Sequence, residues 1–502
     1  MKYKNRKIPA LLFAFVLSIS PSLFSCSEKN SDETENATAT NSDSSGTAEE
    51  TEIANERESI DYLPIIDYGA FEFKVLSYAE LNNPVHTNND VAVESDNGET
   101  LNDAVYRRNM EIEEKYNIKI IDHHSENYQS DLNKTVASND DTYSLATARM
   151  ISALPNMVGG YFYDLYKTPH INLKQPWYLQ SAIEQLTLNN GLYVVPSEML
   201  ISPYGATSLI LFNKQLQKDM GLPNPYKMVI EGSWTFDSLR EMSREATRDL
   251  DGDGSMTKAD QWGFVVFQDI MSAMLVAGGG EYGIKTGSET FEITFNNEKN
   301  ANIMDRAFLL IYDEYVTMNL QKTVFADYHP GTASVKMMGV LTDARSLFYW
   351  VRMGNVRLAR TIDVEYGMLP MPKFDEMQKN YRNWVSPHQM QSLAIPVTTP
   401  DLERSAIIME ALSAESRYTV IPAFFEIALK MKWARDDESA EMIPYIFDNT
   451  VIDPIATYNF GNIVDDFHTM SNTNNTNIQS FYESRISLIE RDIKAMSDAL
   501  GK

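Results

Sequence analysis

GSWTFDSLREMSREATRDLDGDGSMTKADQWGF, residues 232–264, joins a helix, an acidic loop and the start of an apolar strand. The helix is expected to begin after Thr235, because Phe236, Leu239, Met242 and Ala246 recur at spacings of three and four and so share one face. The loop places Asp249, Asp251, Asp253, Gly254, Ser255, Thr257 and Asp260 at positions 1, 3, 5, 6, 7, 9 and 12 of a calcium loop. Oxygen ligands at alternate positions can wrap one hard cation, and Gly254 permits the sharp turn between them. The expected ligands for Ca2+ are Asp249, Asp251, Asp253, Ser255, Thr257 and Asp260; the plainer alternative is an acidic surface turn. Position 12 is Asp rather than Glu, which shortens the arm for bidentate closure. The residues that follow, Trp262-Gly263-Phe264-Val265-Val266-Phe267, read as a strand. A loop between helix and strand suits a structural staple better than a helix–loop–helix sensor.

Working back to the start of the chain, Lys2, Lys4, Arg6 and Lys7 form a basic segment and residues 8–24 an apolar one. That is the pattern of a secretory signal over residues 1–25, not of a lasting membrane span. Leu23-Phe24-Ser25-Cys26 resembles a bacterial lipobox, so Cys26 is the expected lipidated first residue of the mature chain. Cys26 is also the single cysteine of the chain, so no disulfide and no cysteine-based zinc site is available. The alternative is secretion without the lipid. Residues 26–65 are rich in Ser, Thr, Asn, Glu and Asp and read as a disordered tether.

The chain has 502 residues, of which 43% are hydrophobic, enough for two domains. Its formal net charge of −27 makes nucleic acid an improbable partner. From residue 70 the pattern becomes that of a folded body. Residues 71–76 alternate like a strand, 101–116 read as a helix, 118–121 and 143–148 as strands. This order argues for an α/β sheet with mostly parallel strands, which bind ligands in loops at their carboxyl ends. Two apolar strand-like runs flank Pro203-Tyr204-Gly205. A helix is expected over 269–277, a strand over 291–295 and a helix over 301–315. Residues 335–341 read as a strand leading to a loop at Arg345, and 365–370 and 393–396 as short strands. A helix capped by Thr399, with Pro400 at its first position, follows, and the last helix covers 478–500. Gly278 to Gly283 formally match GxGxxG. The match is rejected as a dinucleotide site because a helical run precedes it and a strand follows.

Several stretches are together similar to bacterial extracellular solute-binding proteins of the sugar type, the receptors of ABC importers. Gly191-Leu192-Tyr193-Val194-Val195-Pro196 resembles "GKLYGLP", and Leu209 to Lys214 resembles "LYYNK". Trp234 to Leu239 resembles "TWDEL", Asp249 to Phe264 resembles "DxDGDGxxDxWGF", and Tyr366 to Pro372 resembles "YGxxPxP". The likeness covers most of residues 70–460, and the order of the motifs is its specific part. It implies an α/β, two-lobe periplasmic-binding-protein-like fold of type II, with a hinge between the lobes. Lobe 1 would comprise 66–197 plus 372–420 and lobe 2 would comprise 198–371 plus 421–502, with crossings near 196–204 and 366–371. The implied molecule is a monomer anchored outside the cytoplasm, holding a small solute, expected to be a carbohydrate, for a membrane permease.

Sugars are held by aromatic faces and by polar side chains on their hydroxyls. The candidates are Trp177 in a polar loop, Tyr204 near the first crossing, Arg345 in a loop that the resemblance puts at the cleft, Trp384, and Glu99 and Arg149 after strands of lobe 1. Each has a plainer reading as a packing or ion-pairing residue. Trp234 and Trp262 are assigned to the core. The seven histidines are scattered, and HExxH and GxSxG are absent, so no catalytic residue is assigned. A receptor for peptides or another small solute, and a polysaccharide-active surface enzyme, remain the alternatives.

Overall fold

The computed structural model describes residues 57–80, 89–267, 269–287, 290–329, 331–358, 362–430 and 437–501. The signal, Cys26 and most of the tether lie outside them. Residues Ile60–Lys502 form one compact unit. Its strands are β1 (Phe71–Tyr78), β2 (Ile118–Ser125), β3 (Leu145–Arg149), β4 (Ser208–Asn213), β5 (Trp262–Val266), β6 (Gly283–Lys285), β7 (Phe291–Ile293), β8 (Thr317–Asn319), β9 (Ser346–Arg352), β10 (Tyr366–Leu369), β11 (Asn383–Trp384), β12 (Gln391–Ala394) and β13 (Thr450–Val451). Among the described residues no helix is long and apolar enough to cross a membrane.

The first sheet has the order β12-β3-β1-β2, with β1 parallel to β2 and β3 and β12 antiparallel to β3. Parallel neighbours need a crossover. The helices Thr100–Tyr116 and Tyr128–Ser138 supply it, each ending on an asparagine in the left-handed conformation whose amide closes the last turn. The first of these helices buries Arg108 completely. Arg108 donates to Val91 O at 2.7 Å, Ser416 Oγ at 3.0 Å and Met199 O at 3.3 Å, and so ties three segments to the helix.

The second sheet has the order β10-β4-β9-β5-β8. Strands β5, β8 and β9 are parallel; β4 runs antiparallel to β9 and β10. Strands β5 and β9 are buried along their whole length, as expected for continuous apolar runs in the centre of a sheet. The helix Phe236–Ala246 packs beside β5. Thr235 is its N-cap, and Thr235 and Ser238 exchange side-chain and backbone hydrogen bonds in a capping box.

Three local expectations need correction. Residues 335–341 lie in a helix, Ala333–Asp343, whose buried Met337, Val340 and Leu341 keep helical spacing. A short apolar run fits either period, and here Thr332 accepting the Val335 amide starts a helix. The strand is the next segment, β9. The helix assigned to a Thr399 cap begins at Leu402, because the Asp401 carboxylate accepts the Arg404 amide at 3.0 Å. Pro203-Tyr204-Gly205 form a single helical turn, Ser202–Gly205, rather than a loop between two strands. Before it, Val195 makes one bridge, to Leu393 of β12.

The chain passes from the first sheet to the second between Val195 and β4. It returns later than residue 372: Lys373 pairs with Thr235, Gln378 donates to Ala277 O, and Tyr381 donates to Val229 O, all on the second sheet's side. The return is completed only between Val385, bridged to Thr207, and β12.

Two buried carboxylates contribute to the pH response of this unit. Asp90 accepts the Ile201 amide, and Asp453 accepts the amides of Tyr282, Gly283, Ile455 and Ala456. Burial nevertheless pushes both up to about 6. A folded value above the unfolded one means that each contributes stability in full below about pH 4, which is lost as pH rises through about 6. The buried His468, whose pKa is pushed down to about 4, works in the opposite direction over the same range, so the carboxylates are read by difference. Relative to the unsubstituted chain, Asp90→Asn and Asp453→Asn should each lose less stability, or gain more, at pH 7.5 than at pH 5 in denaturant unfolding. A change on substitution that is the same at both pH values contradicts this.

Candidate functional site

In open α/β sheets the loops after the carboxyl ends of strands are where ligands bind. Those ends of the two sheets come together here. Strand β3 ends at Arg149, whose guanidinium lies 4.4 Å over the Tyr78 ring at the end of β1. Arg149 Nε donates to His388 O at 3.1 Å, on the segment that enters β12. The His388 ring lies 5.2 Å from that of His468, on the helix Ile463–Thr473. His468 Nε2 is 3.2 Å from Asp269 Oδ1, and Asp269 follows β5 and stands at the N-cap position of the helix Ile270–Ala277 without a side-chain capping bond. Arg352, the last residue of β9, donates from Nη2 to Asp269 Oδ2 at 2.7 Å, and Ser386 Oγ donates to the same oxygen. One chain of contacts thus runs from the carboxyl end of the first sheet to that of the second.

The cluster is buried and highly polar. Asp269 is fully buried, and Arg352 and His468 are nearly so. Burial pushes the Asp269 carboxyl up, but the Arg352 guanidinium, with His468 and His388, outweighs it and holds the group well below the usual carboxylate range. Burial pushes His468 down to about 4 against the pull of Asp269, so its imidazole is neutral at pH 7. The Arg352 guanidinium also faces Phe267 at 5.3 Å and Trp350 at 5.5 Å. Among the described residues several buried polar atoms here have no hydrogen-bond partner: Asp269 Oδ1, both ring nitrogens of His468, His388 Nε2, Arg352 Nε, Trp350 Nε1 and Asn355 Nδ2. Such groups are costly alone, and their concentration in one place would accommodate a polar partner, either a solute or ordered water. A hollow of about 650 Å³, lined by Phe291, Ile293, Ile486 and Glu490 among others, shares no residue with this cluster.

No protein-family model and no curated protein matches this sequence. Solved structures do match. An ABC substrate-binding protein from Listeria monocytogenes, in complex with cycloalternan, aligns over 86% of this chain and 99% of its own, with a TM-score of 0.54 at 12% identity. Maltose-bound MalE3 of T. maritima covers 85% of this chain and 99% of its own, with a TM-score of 0.52 at 14% identity. Apo RafE from Streptococcus pneumoniae covers 85% and 98%, with a TM-score of 0.53 at 13% identity. The chain has the two-lobe solute-binding fold. At these identities the likeness is one of fold.

Within the solute-binding fold, the six residues singled out in the sequence fall into four places. Arg149 and Trp384 belong to the inter-sheet cluster: Arg149 holds His388, and the buried Trp384 ring meets His468 edge-on at 6.3 Å. Trp177 and Tyr204 meet elsewhere, around Glu198. The Glu198 amide donates to Trp177 O at 2.9 Å, and its carboxylate accepts from the Tyr204 hydroxyl at 2.7 Å and from Arg417 Nη1 at 2.8 Å. Trp177 is completely buried, and Tyr204 packs against Phe424, Phe425 and Phe447, so both serve packing in this arrangement. Glu99 is the N-cap residue of the helix Thr100–Tyr116. Arg345 corrects an expectation. It precedes β9, at the end of the second sheet opposite Arg352, and donates to Ala259 O in the acidic loop. Trp234 and Trp262 are buried, as assigned. Asp269, Arg352, His388 and His468 carry no motif; the one signal in the sequence is a charged residue closing each of two apolar runs, WGFVVFQD and LFYWVR.

The acidic loop sits where β5 and β9 begin, at the opposite end of the sheet from the cluster. Carboxylate oxygens of Asp249, Asp251 and Asp253 lie within 4.8 Å of one another. Asp249 accepts the amides of Gly252 and Gly254, both in the left-handed region at φ of 72° and 85°. At Asp251 the Asp253 amide stabilises the carboxylate, but desolvation and the charges of Asp253 and Asp260 outweigh it and raise the group above its ordinary value. Three of the six expected ligands therefore fit a hard dication. Asp260 is committed differently. It is buried and accepts the amides of Leu250 and Thr257 and the Thr257 hydroxyl, so it braces the loop from inside.

Proposed function

We propose that this chain is an extracytoplasmic solute receptor of the sugar-binding family, tethered by a lipidated Cys26, which holds a carbohydrate between its lobes and presents it to an ABC permease. The observation that carries the reading is the junction of Arg149, His388, His468, Asp269 and Arg352 at the facing strand ends, with its surplus of unpartnered buried donors and acceptors. Hydroxyl groups can both donate and accept, so a sugar suits such a surface. The ligands bound in two of the matching structures, cycloalternan and maltose, are of this class. Because the cluster is buried, solute must enter by hinge opening about the two crossings. The chemistry is binding without turnover: Asp269 is held ionised by Arg352 and is not poised as a general acid.

A thermal-shift screen over oligosaccharides, peptides and polyols tests the ligand class, since a ligand of the native state raises the melting temperature. An oligosaccharide should give a saturable rise with no product formed. A response to peptides alone, or steady cleavage of a glycan in proportion to added protein, overturns the reading.

Asp249, Asp251, Asp253, Ser255 and Thr257 would hold Ca2+, with Asp260 bracing them. The ion would neutralise a cluster of like charges and fasten the helix Phe236–Ala246 to β5. Chelation of calcium-loaded protein should lower the melting temperature, and Asp251→Ala should remove that response. An unchanged melting temperature on chelation contradicts it.

A further inference from the structure

We propose that Asp269, His388 and His468 form a binding site for a borderline transition-metal cation of the Zn2+ class. The three residues come from separate parts of the chain: the end of β5, the segment entering β12, and the helix Ile463–Thr473. Each offers a ligand atom, and these atoms lie within 4.8 Å of one another. The donor set, two imidazoles and one carboxylate, is that of zinc and its first-row neighbours; calcium and magnesium prefer oxygen alone.

The state of the individual atoms points the same way. Asp269 divides its two oxygens. Oδ2 is taken by Arg352 and Ser386, whereas Oδ1 receives no hydrogen bond. His468 is buried, yet neither ring nitrogen has a hydrogen-bond partner. Its Nε2 approaches Asp269 Oδ1 to 3.2 Å without the alignment of a hydrogen bond. Two bonds of about 2.1 Å to one cation, at a near-tetrahedral angle, separate their donor atoms by about 3.4 Å. A cation would give both atoms the partner they lack. His388 Nε2 lies 3.3 Å from Asp465 Oδ1 without the alignment of a hydrogen bond, and Asp465 accepts from Asn459 Nδ2 at 2.9 Å. A carboxylate behind an imidazole is the usual support for a metal-bound histidine. Asp465 further offsets the charge of Arg352, which opposes a cation nearby.

Three protein ligands leave one position of a tetrahedral cation open. At the junction of the two sheets that position falls to water or to an oxygen of a bound solute. The cation would also fasten the returning crossing to the second sheet. The site is independent of which solute is bound, and it differs in chemistry from the acidic loop of residues 249–260.

Untagged protein, stripped with a chelator and kept in excess Ca2+ to occupy the acidic loop, is titrated with Co2+ by absorption and with Zn2+ by calorimetry. One equivalent of each should bind, Co2+ giving the intense visible bands of a four-coordinate site that Zn2+ then abolishes. His388→Gln, at a half-buried position, and His468→Gln should each weaken binding at least 10-fold, while Asp251→Ala leaves it unchanged. Circular dichroism checks that each variant is folded. Absence of stoichiometric binding by the unsubstituted chain, or binding unaltered in folded His388→Gln, overturns the proposal. Neither result bears on sugar binding measured without added transition metal.

Discussion

Arg352→Ala should lower the free energy of unfolding by about 3–5 kcal/mol, the range for removing one partner of a buried ion pair. The loss is large because of what remains. Asp269 is fully buried, and without the guanidinium its Oδ2 keeps only the Ser386 hydroxyl. The carboxylate must then stay charged in a dry site or take up a proton. The substitution also strips the cation from the faces of Phe267 and Trp350 and opens a void beside them. Denaturant unfolding of Arg352→Ala, and of Arg352→Met with Asp269→Asn, separates these contributions. The double variant removes both charges while keeping most of the volume, so it should recover much of the loss. A loss below about 1 kcal/mol for Arg352→Ala, the level of a solvated surface pair, contradicts this account of the cluster.

Gly263→Ala should cost at least about 3 kcal/mol, beyond the common range for overpacking. A methyl group at Gly263 would stand 2.1 Å from Ser243 O and 2.5 Å from its carbonyl carbon. Those are backbone atoms of the helix Phe236–Ala246, which cannot swing aside as a side chain can. The helix would have to lift from β5, and with it Leu239 and Met242. Gly254→Ala is the instructive comparison. Gly254 has φ of 85° and nothing within 4 Å, so an added methyl meets strain but no clash. It should cost about 1–2 kcal/mol, and more only when calcium is present. Equal, small losses at both positions would mean that helix and strand are not held at this distance.

These two glycines show what the sequence disclosed. The stretch from Trp234 to Phe264 was legible because several local rules agree there: a capping residue, a helical apolar face, a loop with alternating oxygens, then a continuous apolar strand. Strands β1, β2 and β10 were legible for similar reasons. Residues 335–341 are not, because seven apolar-rich residues fit two periods and the cap that decides between them, Thr332, lies outside the run. The same ambiguity hides β9, because a strand at 335–341 makes the segment around Arg345 read as a loop at the cleft, whereas Arg345 stands just before β9.

The cluster itself was only half legible. Arg149 and Trp384 were singled out, for reasons of position and residue type. Asp269, Arg352, His388 and His468 share no motif, and only the pairing of β9 with β5 and the late return of the chain bring them together. Trp177 is the opposite case. Polar neighbours in the sequence suggested exposure, whereas Glu410 and Arg417 satisfy that polar shell from a helix more than 200 residues away.

The central claim is that a carbohydrate is held at the facing strand ends of the two lobes. Hydrogen–deuterium exchange, with and without an oligosaccharide that raises the melting temperature, tests it most directly. The account predicts added protection in residues 149–153, 269–273, 352–356, 384–391 and 463–468, with none in the acidic loop at 249–260. Protection confined to residues 291–296 and 486–498, around the separate surface hollow, would contradict it.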